Sequence, residues 1–506
     1  MKNGKKDELN HNGQQHGHHN MQDDSFKAEN HKEHIAFLKD RYGMSVYSSD
    51  DVEKRHEEGG GPTLPVDLLF KSGKDEKKIE ESLDRSYELT REAMGKRVEG
   101  MNRRNFIKLA FLASAGVGLA AISQGCLEYT PWYGHVDTYK QINFDRPLDT
   151  DSSKVTVAKG SSIETIVRNA VTMAGGLSLI KPGEYVLIKP NCVWFSDAQT
   201  VPWSEELEAQ VTTNPEVLRH VIRMVKERTN RKNIWVADHA AWMSSTEFVM
   251  RQQGIYDVCM QEGVNACSMG DWEHIAFTSD KFEWMNQPFN IAEKMLRVDH
   301  MINVPKLKNH NMPVIRDMAQ YTCCMKSFVG VLAPNNRLFT TRFMHMYNLP
   351  EKAVELNLCR PWHMENGTTP GITMNVVDAT DIIVSGGPHN SIFLEEMKVA
   401  HPNMIIASKD RVACDTVAVA VLKHYGKLKG VNRDYMHIPV WAQRQIRHGA
   451  KLGLGINDAN RIEIGFTGVD NLEKNSILDI WNEGRDLTTE ELNANFPGPT
   501  PYLCYE

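Results

Sequence analysis

Tyr185-Val-Leu-Ile-Lys-Pro-Asn191, then Asn214-Pro-Glu216, then Ile234-Trp-Val-Ala-Asp-His239: this stretch decides the fold. The run from Tyr185 to Ile188 is apolar without alternation, as expected of a strand buried on both faces of a parallel sheet. It ends at Lys189-Pro190. Asn214 is placed as a helix N-cap and Pro215 at the first helical position, where its missing N–H is no loss. The helix then carries Val217, Leu218, Val221, Ile222 and Val225. A second apolar run, Ile234 to Ala237, closes at Asp238-His239. Strand, helix and strand in this order predict parallel strands joined by helices.

The same alternation extends in both directions. Lys154 to Val157 predicts a strand. Ser161 or Ser162 caps a helix reaching Ala174, with Ile163, Ile166, Val167, Ala170 and Val171 on one side. Further apolar strands fall at Met301 to Val304, Met374 to Val377 and Met404 to Ala407, and an apolar helix follows Asp415. The expected fold class is α/β, a mostly parallel sheet flanked by helices, over residues 150–468. Residues 469–506 read as a C-terminal tail, a helix plus an irregular arm ending in Phe496-Pro-Gly-Pro-Thr-Pro.

Residues 1–100 are a polar N-terminal extension, disordered or helical. His16-Gly-His-His19 within it is either a loose metal-binding run or part of a solvated tail. Residues 101–126 differ. Asn102-Arg-Arg-Asn-Phe-Ile-Lys108 and the apolar run Leu109 to Ile122 match a twin-arginine export signal. The run is short and rich in Gly and Ala, which suits a signal core better than a membrane span. Retained, it would be a marginal membrane tether with Arg103 and Arg104 on the inner side; Cys126 adds a weak lipidation option. The motif implies passage through the twin-arginine translocase as a folded protein, and a periplasmic or outer-face location.

A net charge of −7 over 506 residues gives no global polyanion-binding character, and no nucleic-acid partner is expected. The nine cysteines include no CxxC pair, which argues against a ferredoxin-type iron–sulfur motif or a zinc ribbon. Adjacent Cys323 and Cys324 read as buried thiols. No GxGxxG, GxxxxGK[ST], GxSxG or HExxH occurs, so Rossmann, P-loop, hydrolase and zincin readings lose support.

In open parallel sheets ligands bind beyond the carboxyl ends of the strands. The polar residues there are Lys189 and Asn191, Asp238 and His239, Lys306, Lys308 and His310, Asp378 and Asp381, and Asp410 and Asp415. Lysines so placed hold a phosphate or carboxylate as point charges. Carboxylates and a histidine nearby do acid–base work or bind a metal. Asn214 offers helix N-terminal amides to an anion, and Lys326 precedes a flexible loop, Ser327-Phe-Val-Gly330. Each also has a plain structural reading: a solvated loop lysine for Lys189, an N-cap for Asn214 or Asp415, turn aspartates for Asp238 and Asp378.

Val186-Leu-Ile-Lys-Pro-Asn191, Thr212-Thr-Asn-Pro-Glu216, Ile302-Asn-Val-Pro-Lys-Leu-Lys-Asn-His310, Met325-Lys-Ser-Phe-Val-Gly330 and Asp410-Arg-Val-Ala-Cys-Asp415 occur in that order. Together they resemble the family called domain of unknown function 362. His448-Gly-Ala-Lys-Leu-Gly-Leu-Gly455 with Arg461-Ile-Glu-Ile-Gly465 is similar to its closing segment. The resemblance covers roughly residues 155–468 and implies no settled activity. Some similar proteins carry ferredoxin-type clusters, which this chain lacks, and the family's Lys-Asn-x-x-Gly loop here begins Lys326-Ser327.

The expectation is an exported protein binding a small anionic ligand or a metal-containing cofactor at the strand ends, as a redox-linked enzyme. Lys189, Asn191, Asn214, Lys306, Lys308 and Lys326 would bind the ligand, and Asp238, His310 and Asp415 would be catalytic. Replacing Lys306 or His310 by Ala should then abolish binding without unfolding. The cofactor is open, a metal ion being one option. The alternative is a non-catalytic subunit or assembly factor of an exported redox complex, with a redox partner protein.

Overall fold

The computed structural model describes residues 152–193, 211–240, 246–310, 320–332, 348–360, 371–385 and 398–496, apart from positions 273, 278, 280, 286–288, 293, 296–297 and 433. The N-terminal extension, the twin-arginine motif and the end of the tail lie outside the described residues. Among the described residues, no helix is long and apolar enough to cross a membrane.

The first part of the domain runs β1 (Ser153–Lys159), α1 (Ile163–Met173), β2 (Val186–Pro190), α2 (Pro215–Lys226), β3 (Ile234–Asp238), α3 (Thr246–Gln252), α4 (Ile255–Glu262) and β4 (Asn265–Ser268). A small hairpin, β5 (His274–Phe277) and β6 (Phe289–Ala292), precedes β7 (His300–Val304), β8 (Lys306–Asn309) and β9 (Tyr321–Thr322). After α5 (Leu349–Glu355) come β10 (Met374–Ser385), β11 (Lys398–Ala400), β12 (Met404–Ser408) and α6 (Arg411–Leu428). The chain closes with α7 (Asp434–His437), α8 (Arg444–Lys451), β13 (Ile462–Thr467), α9 (Asn471–Asn482) and α10 (Thr489–Asn495).

One eleven-stranded sheet organises these elements, in the order β13-β1-β12-β10-β7-β2-β3-β4, with β8 and β11 also on β10, and β9 on β8. The pairs β1–β13, β10–β7, β7–β2, β2–β3 and β3–β4 are parallel. Only β12 on this path runs the other way, antiparallel to both β1 and β10. The mostly parallel α/β expectation therefore holds, with one reversal that matters for the site. Ser408, the last residue of β12, pairs with Val155 and Asn375, near the starts of their strands. Asp410 and α6 thus leave from the amino rim of the parallel strands. The lysines lie at the carboxyl rim.

Side chains alternate between two cores. Val186 and Ile188 of β2 join Ile302, Val304, Met374 and Val376 under α1, α2 and α4. Leu187, Met301, Val377 and Ile406 face the other layer, built on α6 and the 3-10 segment Lys326–Val331. The start of α2 follows its sequence: Asn214 Oδ1 accepts the Glu216 amide at 2.9 Å, with Pro215 behind it. Six buried apolar side chains, Val217, Leu218, Val221, Ile222, Met224 and Val225, seat this helix, each stabilising by roughly 1.5–3 kcal/mol. In the tail region Asp470 caps α9, which buries Ile477 and Trp481. Trp481 Nε1 donates to Thr416 Oγ1 of α6 at 3.0 Å, so α9 belongs to the same core.

Candidate functional site: a buried lysine rim

Pro305 interrupts the line from β7 to β8, and the chain resumes beside the second half of the long strand β10. This step brings Lys306 opposite Asp378. Their side chains pair at 2.9 Å, both fully buried. Asp378 is a hub: its Oδ2 also accepts the Asn214 amide at 2.7 Å, and its Oδ1 accepts the Thr380 amide at 3.0 Å and the Thr380 hydroxyl at 2.7 Å. The helix N-terminal amide offered by Asn214 is thus bound by an internal carboxylate. Removing Lys306 would leave that buried carboxylate to neutral donors, a costly change. The expectation that Lys306→Ala spares the fold is therefore revised.

A second pair lies at the end of β2. Lys189 Nζ is 2.7 Å from Asp238 Oδ1 at the end of β3, both almost wholly buried. Asp238 Oδ2 accepts the Cys192 amide at 2.6 Å. Lys189 also donates to Ser327 Oγ at 3.2 Å and to the Pro190 carbonyl at 3.3 Å. The Ser327 hydroxyl thus serves as a hydrogen-bond acceptor for the lysine. Gly330 closes over the pair. A Cβ there would lie 2.0 Å from Asp238 Oδ1 and 2.9 Å from Lys189 Nζ, so the close approach demands glycine.

Lys308, two residues beyond Lys306 and buried like it, is matched differently. Its Nζ donates to the Val211 carbonyl at 2.7 Å, a neutral partner. Burial pushes its pKa well below the usual lysine range; Lys326 and Lys306 push the same way, and Asp238 opposes them. Among the described residues, Lys189, Lys306 and Lys308 thus face two carboxylates, Asp238 and Asp378, with Lys326 adding its field. A buried surplus of positive charge is a disfavoured arrangement that an anion relieves.

The remaining expected residues frame this rim. The Asn191 amide donates to Thr213 Oγ1 at 2.8 Å, and that hydroxyl donates to the Val304 carbonyl at 2.6 Å, tying together β2, β7 and the entry to α2. Asn191 Oδ1 accepts the Val193 amide at 3.2 Å. His310 follows β8 and its Nδ1 lies 3.0 Å from Thr322 Oγ1.

Asp415 sits elsewhere, one turn into α6. Its carboxylate accepts the Cys324 amide at 2.8 Å and the Met325 amide at 3.4 Å. Burial pushes its pKa up to about 6 against these hydrogen bonds. It anchors the start of the segment that carries Lys326, Ser327 and Gly330 to the lysines. Asp410 is the N-cap of α6, accepting the Val412 and Ala413 amides, and it also takes the Ser153 hydroxyl and the Ile456 amide. The parallel-sheet reading placed both aspartates among the strand-end groups; the reversal of β12 starts their helix at the other rim.

Sequence reasoning missed several contributors. Ser327 and Gly330 were noted only as a loop, because their partners are more than 90 residues away. Thr213 and Thr380 gave no signal beyond small polar residues near strand ends. Asn303, whose side chain donates to the Cys324 carbonyl at 3.0 Å and to Asn375 Oδ1 at 3.2 Å, was hidden inside an apolar strand.

Residues 186–420 match the family described as Domain of unknown function (DUF362). The match runs from the first residue of β2 into α6 and so takes in the whole lysine rim. No curated protein matches the chain.

Proposed function

We propose that the region matching DUF362 is a receptor for a small oxyanion, such as a phosphate or carboxylate compound, held at the carboxyl rim of the sheet. The observation that carries this reading is the buried charge surplus among the described residues: three lysines against two carboxylates. Lys189 and Lys306 are already paired, so they give the rim its shape. Lys308, whose partner is a carbonyl, is the group with charge to offer. As an ammonium it would donate to the anion, whose charge would offset the burial that lowers its pKa. Lys326 supports the same charge from the opposite layer, and His310 is the nearest of the expected acid–base groups along the chain.

The twin-arginine motif at Arg103 and Arg104 extends the proposal to export. The protein would fold, load its ligand and cross by the twin-arginine route to work on the outer side of the cytoplasmic membrane. Arg103→Lys with Arg104→Lys should keep it inside; an exported double variant would remove this part.

Thermal unfolding in sulfate against chloride at matched ionic strength tests the rim. Sulfate should raise Tm of the wild type and leave that of Lys308→Met unmoved. An equal rise in both would show that sulfate acts elsewhere.

A further inference from the structure

Away from the lysines, where α6 meets the turn after β9, two thiols and one carboxylate converge. Cys323 and Cys324 Sγ are 3.9 Å apart. Donor atoms of Cys323, Cys324 and Asp415 all lie within 4.8 Å of one another. All three residues are fully buried. Carbon-lined cores do not collect such groups for packing alone, because a buried carboxylate is expensive there.

We propose that Cys323, Cys324 and Asp415 form a zinc site. Zn²⁺ takes thiolate sulfur at about 2.3 Å and carboxylate oxygen at about 2.0–2.2 Å in a tetrahedron. Tetrahedral sulfurs at that bond length stand about 3.8 Å apart, close to the separation of Cys323 and Cys324. Two sulfurs and one oxygen supply three of the four tetrahedral positions. Binding replaces the two thiol protons by one Zn²⁺ and releases those protons to solvent.

The surroundings hold the donors in place. The Cys324 and Met325 amides fix the Asp415 carboxylate. Asn303 Nδ2 holds the Cys324 carbonyl and Asn357 Nδ2 the Met325 carbonyl, each at 3.0 Å. The buried Arg411 guanidinium lies in the field of Cys324 and Asp415, where it offsets part of the negative charge of the loaded site. Such an ion would pin α6 to the segment bearing Lys326, Ser327 and Gly330, and so hold that segment against the lysine rim. The assignment does not depend on the oxyanion reading.

Elemental analysis of the full chain, purified from zinc-supplied cells and dialysed, is the test. One zinc per chain is expected. Cys323→Ser and Cys324→Ser should each lose it, while Cys192→Ser, a buried thiol outside the cluster, should keep it. If the cluster variants do not fold, wild-type protein exchanged with Co²⁺ gives a second readout: thiolate-to-cobalt charge-transfer absorption is expected, with Cys323 and Cys324 resisting alkylation until the metal is chelated. Wild-type protein that takes up no zinc, zinc retained in Cys323→Ser with Cys324→Ser, cobalt bound without thiolate absorption, or binding of copper(I) in place of zinc would each overturn the assignment.

Discussion

Lys306 and Lys308 are alternate residues of one short strand, equally buried, yet their replacement by Met should have opposite consequences. Met preserves most of the aliphatic stem, so cavity effects are small and the ammonium is the main thing lost. At Lys306 the ammonium is 2.9 Å from Asp378, with neither group exposed. Its loss leaves a buried carboxylate held by the Asn214 and Thr380 amides and the Thr380 hydroxyl. Breaking one side of a buried pair costs about 3–5 kcal/mol. At Lys308 the ammonium leaves one carbonyl, that of Val211, without its donor, a cost of about 1–3 kcal/mol. Against that stands relief from desolvation and from the repulsion of Lys326 and Lys306, so the net change should lie within about 1 kcal/mol of zero. The two variants should therefore differ by at least about 2 kcal/mol, and Asp378→Asn added to Lys306→Met should recover much of the loss, as expected for residues in contact. Urea midpoints followed by tryptophan fluorescence, at unchanged slope, measure this. Equal losses in both single variants, or a double variant whose loss is the sum of the parts, would refute the charge assignment at the rim.

Other perturbations separate the same groups. Gly330→Ala would drive a methyl into the Lys189 and Asp238 pair; either the pair opens or the 3-10 segment shifts, and a destabilisation of about 3 kcal/mol or more is expected by thermal unfolding, with Gly330→Ser no better. Asp410→Ala removes an N-cap that also holds the Ser153 hydroxyl and the Ile456 amide; a loss of about 2–4 kcal/mol should follow, and a loss below 1 kcal/mol would sink the view that Asp410 is structural. The pH dependence of Lys308 has a definite sign. Its folded-state pKa lies below the ordinary value of 10.5, so its penalty is full below the folded pKa. As pH rises through that value the folded state releases its proton first, and stability gains up to about 1.4 kcal/mol per pH unit until 10.5. Tm measured against pH should show this alkaline gain in the wild type and not in Lys308→Met; parallel curves would contradict it.

Much of this architecture was readable from residue pattern. The strands at Val186 and Ile234 announced themselves as apolar runs, because a strand covered on both faces has no polar side to show. The cap of α2 was readable because Asn-Pro-Glu combines a side-chain acceptor with a fixed first helical φ. Strand direction was not: Met404 to Ala407 reads the same whichever way it runs, and only the long-range pairing of Ser408 with Val155 and Asn375 fixes it. That one reversal moved Asp410 to the other rim. Lys189, Lys306 and Lys308 were found by their place after strands, but which were already paired depended on Asp238 and Asp378, 49 and 72 residues further along the chain. The thiol cluster gave no spacing signal, since adjacent Cys323 and Cys324 meet Asp415 only through the docking of α6.

Titration calorimetry of wild-type protein with sulfate, at neutral pH, tests the central claim most directly. The account predicts one sulfate site per chain, absent in Lys308→Met. Wild-type protein that binds no sulfate, or binding of equal strength in Lys308→Met, would contradict it.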